Sequence, residues 1–187
     1  YTGIGQCNSV IEDLKHLTAD QLGMSPEELD YFRLQLRALR AWYHYYLFDG
    51  YRNIIIYKSA GAEDVKSLSQ ADPKETFNWI EKECLECLDK LPAKTNGAGN
   101  GERQGQFNKA AIATLLVRLY LNAEKYIGVP HYQECIAMAK RITNGEFGNY
   151  KLDTTWDKVF DYNNDTSDEV IPVSYTHLRA HETDSYL

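Results

Sequence analysis

The stretch that decides the fold is Arg37-Ala38-Leu39-Arg40-Ala41-Trp42-Tyr43-His44-Tyr45-Tyr46-Leu47-Phe48-Asp49-Gly50-Tyr51-Arg52-Asn53-Ile54. It reads as an aromatic-packed helix that stops at a glycine and turns into a short extended run. Upstream, Ser25-Pro26-Glu27-Glu28 is a helix start. Ser25 can cap, Pro26 suits the first helical position, and Glu28 completes a capping box. The helix so begun carries Leu29, Phe32, Leu36, Leu39, Tyr43 and Tyr46 on one stripe, expected to face the core. Gly50 is expected to end it, where a left-handed cap is easiest.

The same logic extends in both directions. Ile4, Cys7, Val10, Ile11, Leu14 and Leu17 recur three or four apart, which predicts an amphipathic helix over residues 4–17. Asn53 to Tyr57 reads as a short buried strand or extended segment, followed by a loop over 58–71. Asp72-Pro73-Lys74-Glu75 starts another helix, with Phe77, Ile80, Cys84, Cys87, Leu88 and Leu91 inward and Pro92 as the stop. Residues 93–106 form a polar, glycine-rich loop. A strong helix is predicted over about 107–125, ended by Gly128 and Pro130, and another over about 131–143. Trp156, Val159 and Phe160 suggest a short helical turn with Trp156 in the core, and Val170-Ile171 the beginning of a strand.

Leu116 and Tyr120, then Tyr132, Cys135, Ala139 and Ile142, match the packing positions of a degenerate tetratricopeptide repeat. Helix pairs of this kind stack, because each buries only one face by itself. The fold class is therefore all-α: stacked, tetratricopeptide-like helix hairpins with short extended segments.

Composition narrows the function. The 187 residues carry a net charge of −7, so phosphate backbones and anionic membranes are poor partners and nucleic acid is excluded as an expectation. No apolar run approaches the roughly 20 residues of a membrane helix. Fourteen tyrosines and three tryptophans serve either as core or as a stacking surface with polar tips, and composition favours core. Tyr1 is not expected to be the natural start, since neither an initiator Met nor a signal peptide precedes it. Cys7 follows Gln6 with no apolar segment upstream, so it is not expected to be lipidated.

The motifs that invite chemistry mostly dissolve on inspection. Cys84-Leu85-Glu86-Cys87 has redox spacing, but it lies late in a helix on the apolar stripe, where buried small residues are expected. Gly97, Gly99, Gly101 and Gly105 match no phosphate-loop spacing. Asp161, Asn163, Asp165 and Ser167 begin like a calcium loop, but Thr166 holds the turn position and Pro172 that of the bidentate acid. His177 and His181 have i, i+4 metal spacing. They lie in Ser174–Thr183, which resembles translated sequencing-adapter DNA, so residues 172–187 are set apart as a non-native tail. His16, His44 and His131 fall in separate helices, and no catalytic set, metal site or cofactor site emerges.

The opening stretch resembles the "RAFYYFLLLDLYGNVP" segment of the SusD/RagB family of nutrient-binding lipoproteins. Four further pieces stand in the family's order along the chain. Tyr1 to Ile11 is similar to the family's "Y..I..AN.vI" helix, Asp72 to Pro92 to "F..I...L..A...LP", and Asn108 to Ala123 to "kaAA.aLLArvYL.A". Glu169-Val170-Ile171 looks like its "n.EiIf" strand. Two positions depart: Arg52 stands where the family has Gly, and Ile55 where it has Pro.

The resemblance covers residues 1–171 as one helical domain and implies an internal fragment of a longer protein. It implies a lipid-anchored protein on the outer face of the outer membrane. Such a protein binds glycans, without catalysis, and passes them to a SusC-like TonB-dependent transporter. Within this chain the candidate ligand residues are Tyr51, Arg52, Asn53 and Tyr57, which follow the helix stop and lie off its stripe. A purely structural turn and strand is the competing reading of this group. Peptide capture in the manner of the RagB-like branch, a helical-repeat adaptor that binds only proteins, and a hydrolase with its carboxylate pair elsewhere stand as alternatives.

Overall fold

The computed structural model describes residues 1–60, 68–94, 106–160 and 167–171. Its α-helices are α1 (Thr2–Asp13), α2 (Ala19–Leu22), α3 (Pro26–Tyr51), α4 (Pro73–Lys90), α5 (Lys109–Leu121), α6 (Ala123–Ile127) and α7 (Tyr132–Thr143). A 3-10 turn follows at Trp156–Phe160. Among the described residues there is no β-strand, and no helix is long and apolar enough to cross a membrane.

The helix starts use the expected chemistry. The Ser25 hydroxyl accepts from the Glu28 N–H at 3.2 Å, and the Glu28 carboxylate accepts from the Ser25 N–H at 2.8 Å. Asp72 accepts from the Glu75 N–H and Asn108 from the Ala111 N–H, both at 2.9 Å. A second capping box, Thr18 with Gln21, starts α2, a helix the sequence reading passed over. The single helix expected over 107–125 is two. Asn122 leaves helical geometry at φ −97° and ψ 2°, and its side chain bonds back to the Arg118 carbonyl. Gly128, at φ 72°, closes α6 as anticipated.

Successive helices pack on one another: α1 on α3, α3 on α4, α4 on α5, and α5 on α7. This is the all-α stack of helix pairs. Helix α4 lies between α3 and α5, and all six residues of its expected stripe, Phe77 through Leu91, are buried. Ala110, Ala113, Leu116, Leu119, Tyr120 and Ala123 meet them from the other side. Each large apolar side chain so buried contributes about 1.5–3 kcal/mol.

Helix α3 departs from expectation. Its buried face is Leu34, Ala38, Ala41, Tyr45 and Phe48, not the anticipated stripe. Of that stripe, Leu29 is buried, Leu36, Leu39 and Tyr43 are half-buried, and Phe32 and Tyr46 are 46% and 45% exposed. The reason is that α3 is apolar on more than one side and touches α1, α4 and α5. Ala38 and Ala41 put no bulk on their face, which lets the neighbouring backbone come close.

Two further expectations fail. Trp156 is 80% exposed and meets Phe160 edge-on instead of entering the core. Val170 and Ile171 form no ladder; that segment is tied through Asp168, whose carboxylate takes the Lys94 ammonium at 2.8 Å and whose carbonyl takes the Lys151 N–H. Ile171 still packs against the main core.

Candidate functional site

Helix α3 does not stop at Gly50. It continues through Tyr51, and Arg52 closes it at φ 63° and ψ −64°. The Arg52 N–H still reaches the Phe48 carbonyl at 3.0 Å, and the Asn53 N–H folds back onto the Tyr51 carbonyl at 2.7 Å. This is a γ-turn of the rare positive-φ hand, which costs a residue with a Cβ about 1–3 kcal/mol. Arg52 is the one non-glycine residue with positive φ among those described. Its side chain explains why the turn falls there. The guanidinium lies 4.3 Å from the centre of the Tyr126 ring and 5.7 Å from that of Phe48. The Tyr126 hydroxyl in turn donates to Asp49, which anchors the ring; burial first, then that carboxylate, raises the phenol's pKa.

The four candidate residues therefore occupy different situations. Tyr51 is 75% exposed at the helix end. Arg52 is half-buried and committed to the two rings, with one guanidinium nitrogen lacking a hydrogen-bond partner among the described residues. Asn53 is exposed, and its amide donates to the Ala71 carbonyl at 3.4 Å. Tyr57 is half-buried, and both its backbone polar groups are engaged. The turn brings Tyr51, Arg52 and Asn53 together, while Tyr57 lies along the extended run that follows.

That run is extended without being a strand. Its hydrogen-bond partners are mostly side chains. The Ile55 N–H donates to the Tyr1 hydroxyl at 2.9 Å and the Tyr57 N–H to His44 Nε2 at 3.2 Å. The Tyr57 carbonyl accepts from Asn8 at 3.0 Å, and the Lys58 carbonyl from Arg40 at 2.9 Å. One backbone pair, Ala71 N–H to Ile54 carbonyl at 2.9 Å, closes the opposite side. From the sequence, Asn8 and Arg40 were given no role and His44 was noted only as a histidine apart from His16 and His131; polar residues among the apolar positions of α1 and α3 were the available signal.

His44 is fully buried, and its environment fixes its tautomer. Nδ1 faces the Arg40 carbonyl at 2.8 Å, which can only accept, so Nδ1 carries the proton. Nε2 faces the Tyr57 N–H, which can only donate, so Nε2 is bare. Burial foremost, with the Arg40 charge adding to it, pulls the imidazole down to about 4. Behind it, Arg37 and Arg40 share Glu83, at 2.9 and 3.0 Å, and Arg37 also binds Glu86. This network joins α3 to α4 beneath the extended run.

Elsewhere the sequence motifs take structural roles. Cys84 and Cys87 are buried free thiols; burial raises both, Cys87 to about 12, so neither offers a thiolate. Cys7 is buried in α1. No cluster of metal-ligating residues occurs among the described residues. Gly97 to Gly105, residues 161–166 of the calcium-like loop, and the 172–187 tail with His177 and His181 lie outside the described residues. An open depression of about 420 Å³ lies between α2 and the start of α3, lined by Leu17, Asp20, Leu29 and Arg33. It is separate from the 51–57 group.

No family model matches the chain, and no curated protein matches it. Solved structures do. A laminarin-binding SusD-like protein is 23% identical with a TM-score of 0.69, over 86% of this chain and 32% of that one. A SusD homolog from Bacteroides thetaiotaomicron is 24% identical with a TM-score of 0.67, over 86% of this chain and 30% of that one. Surface glycan-binding protein A from Bacteroides thetaiotaomicron, in complex with laminarihexaose, is 19% identical with a TM-score of 0.69, over 91% of this chain and 32% of that one. The chain thus has the helical fold found in SusD-like proteins, and it spans about a third of the length of these solved structures.

Proposed function

We propose that this chain is the helical part of a non-enzymatic glycan-binding protein of the SusD-like kind. It works at the outer cell surface, lipid-anchored in the outer membrane, and hands its ligand to a SusC-like TonB-dependent transporter. The observation that carries this reading is the fold. Its solved counterparts include proteins named for laminarin and surface-glycan binding, one of them holding laminarihexaose. The exposed ring of Tyr51 supports it, since an aromatic face with a polar tip suits a sugar ring. In this reading Tyr51 is the stacking platform, and Asn53 and Tyr57 supply polar contacts. Arg52 fixes the turn that presents them.

The test is a binding panel on the full chain: laminarihexaose, other β- and α-linked oligosaccharides, and unstructured peptides. Saturable binding of an oligosaccharide, weakened about tenfold or more by Tyr51→Ala, is the expected result. Binding of peptides alone would transfer the reading to peptide capture. Pull-down of a folded protein with no glycan or peptide binding would make it an adaptor.

A further inference from the structure

Asn8, Arg40 and His44 come from two different helices and converge on the backbone of two consecutive residues, Tyr57 and Lys58. Asn8 and Arg40 are also bonded to each other, Nη to Oδ1 at 3.0 Å, and both are almost fully buried. Burying a guanidinium, an amide and an imidazole in a helical core is costly unless each finds partners. A segment that needed only to cross the surface would have left its amides to water. Here the three polar groups meet the backbone as partners would in a sheet, an acceptor on the Tyr57 N–H and donors on the Tyr57 and Lys58 carbonyls, but they do so on consecutive residues and from side chains.

We infer that His44, with Asn8 and Arg40, positions the proposed ligand surface by holding the Tyr57–Lys58 backbone in one register, so that the Tyr57 side chain is presented in a single orientation. The role of Tyr57 in this statement rests on the functional reading above; the register itself does not. His44 is the critical member because its bond depends on a bare Nε2, and the Arg40 carbonyl is what keeps Nε2 bare. It is a positioning residue and touches no ligand.

The experiment uses the full chain, isotopically labelled, in solution. In the wild type, an N–N coupling across the hydrogen bond should connect the Tyr57 amide to His44 Nε2. His44→Phe keeps an aromatic ring and removes the acceptor. It should speed exchange of the Tyr57 amide by about tenfold or more, the cost of one buried bond left unmade, while the Leu116 amide in α5 stays protected. His44→Gln, whose carbonyl can accept, should recover part of the protection. If His44→Phe does not fold, Asn8→Ala removes the partner of the Tyr57 carbonyl from α1 and takes the same readout.

Oligosaccharide affinity is then measured on the same samples with the panel above. Faster Tyr57 exchange together with weakened binding supports the inference. Unchanged exchange overturns it, and so does faster exchange with undiminished binding. If the wild type binds no oligosaccharide, the functional reading falls, and the exchange data alone decide whether the register is held as described.

Discussion

The guanidinium of Arg52 lies 4.3 Å from the centre of the Tyr126 ring, across a chain separation that joins the end of α3 to α6. That contact holds a residue with a Cβ at φ 63°. Two energies oppose each other at one position, and substitution separates them. Arg52→Ala keeps the backbone strain and loses the stacking, and is expected to destabilise by about 1–2 kcal/mol. Arg52→Gly loses the stacking but relaxes the turn, and should be the more stable of the two by about 1 kcal/mol. Urea denaturation measures both. An alanine variant at least as stable as the glycine variant would show that the turn is unstrained.

Gly50, the expected helix stop, is instead a helical residue, and a Cβ added there would meet nothing within 4 Å. Gly50→Ala should therefore stabilise the chain, by about 0.5–1 kcal/mol. Gly148 is the opposite case. It has φ 125°, and a Cβ there would meet Lys94 Cβ at 2.4 Å. Gly148→Ala should cost about 2 kcal/mol or more. A thermal melt of each variant checks the signs, and a loss at Gly50 would restore its role as a cap.

Glu83 is 12% exposed and serves both Arg37 and Arg40, whereas Glu86 is 42% exposed and serves Arg37 alone. Glu83→Gln leaves Arg40 buried without its counter-charge and should cost about 3 kcal/mol. Glu86→Gln should cost under about 1 kcal/mol. Equal losses in the two denaturation curves would mean that water screens both pairs alike.

The imidazole of His44 titrates at about 4 in the folded chain. Its unfolded value is about 6.5. Between those values the unfolded state binds a proton that the folded state does not. The His44 contribution is thus complete above pH ~6.5, falls as pH drops towards ~4, and then levels off. The loss from this group amounts to about 3 kcal/mol at most. Unfolding free energies of wild type and His44→Gln, measured from pH 7 to 4, should diverge in that window, the wild type falling more steeply. Parallel curves would contradict the burial of a neutral histidine.

How much of this was legible depended on how local the cause was. Ser25 with Glu28, Asp72 with Glu75, and Gly128 signal helix ends within a few residues of chain, and the structure bears each out. The α4 stripe was legible because α4 has its apolar residues on one side. The inward face of α3 was not, because apolar residues surround it and the choice is made by which neighbours arrive. The turn at Arg52 depends on Tyr126, and the extended run on Asn8, 49 residues away from Tyr57. Nothing in the sequence near residue 52 or 57 announces those partners. The four candidate residues were read as a group, and the structure divides them into one exposed ring, one turn residue and two flanking positions.

The extended run also bears on self-association. Ile54-Ile55-Ile56 is an apolar, β-branched triplet of the kind that seeds cross-strand pairing between molecules when its amides are free. In the folded chain Ile54 is buried and its carbonyl is taken by the Ala71 N–H, while side chains occupy the N–H of Ile55 within the triplet and that of Tyr57 just after it. A second molecule therefore meets no continuous row of open donors and acceptors to template upon. The polar residues buried beneath the run act as gatekeepers from within, at the cost of a core less oily than a helical stack would otherwise have.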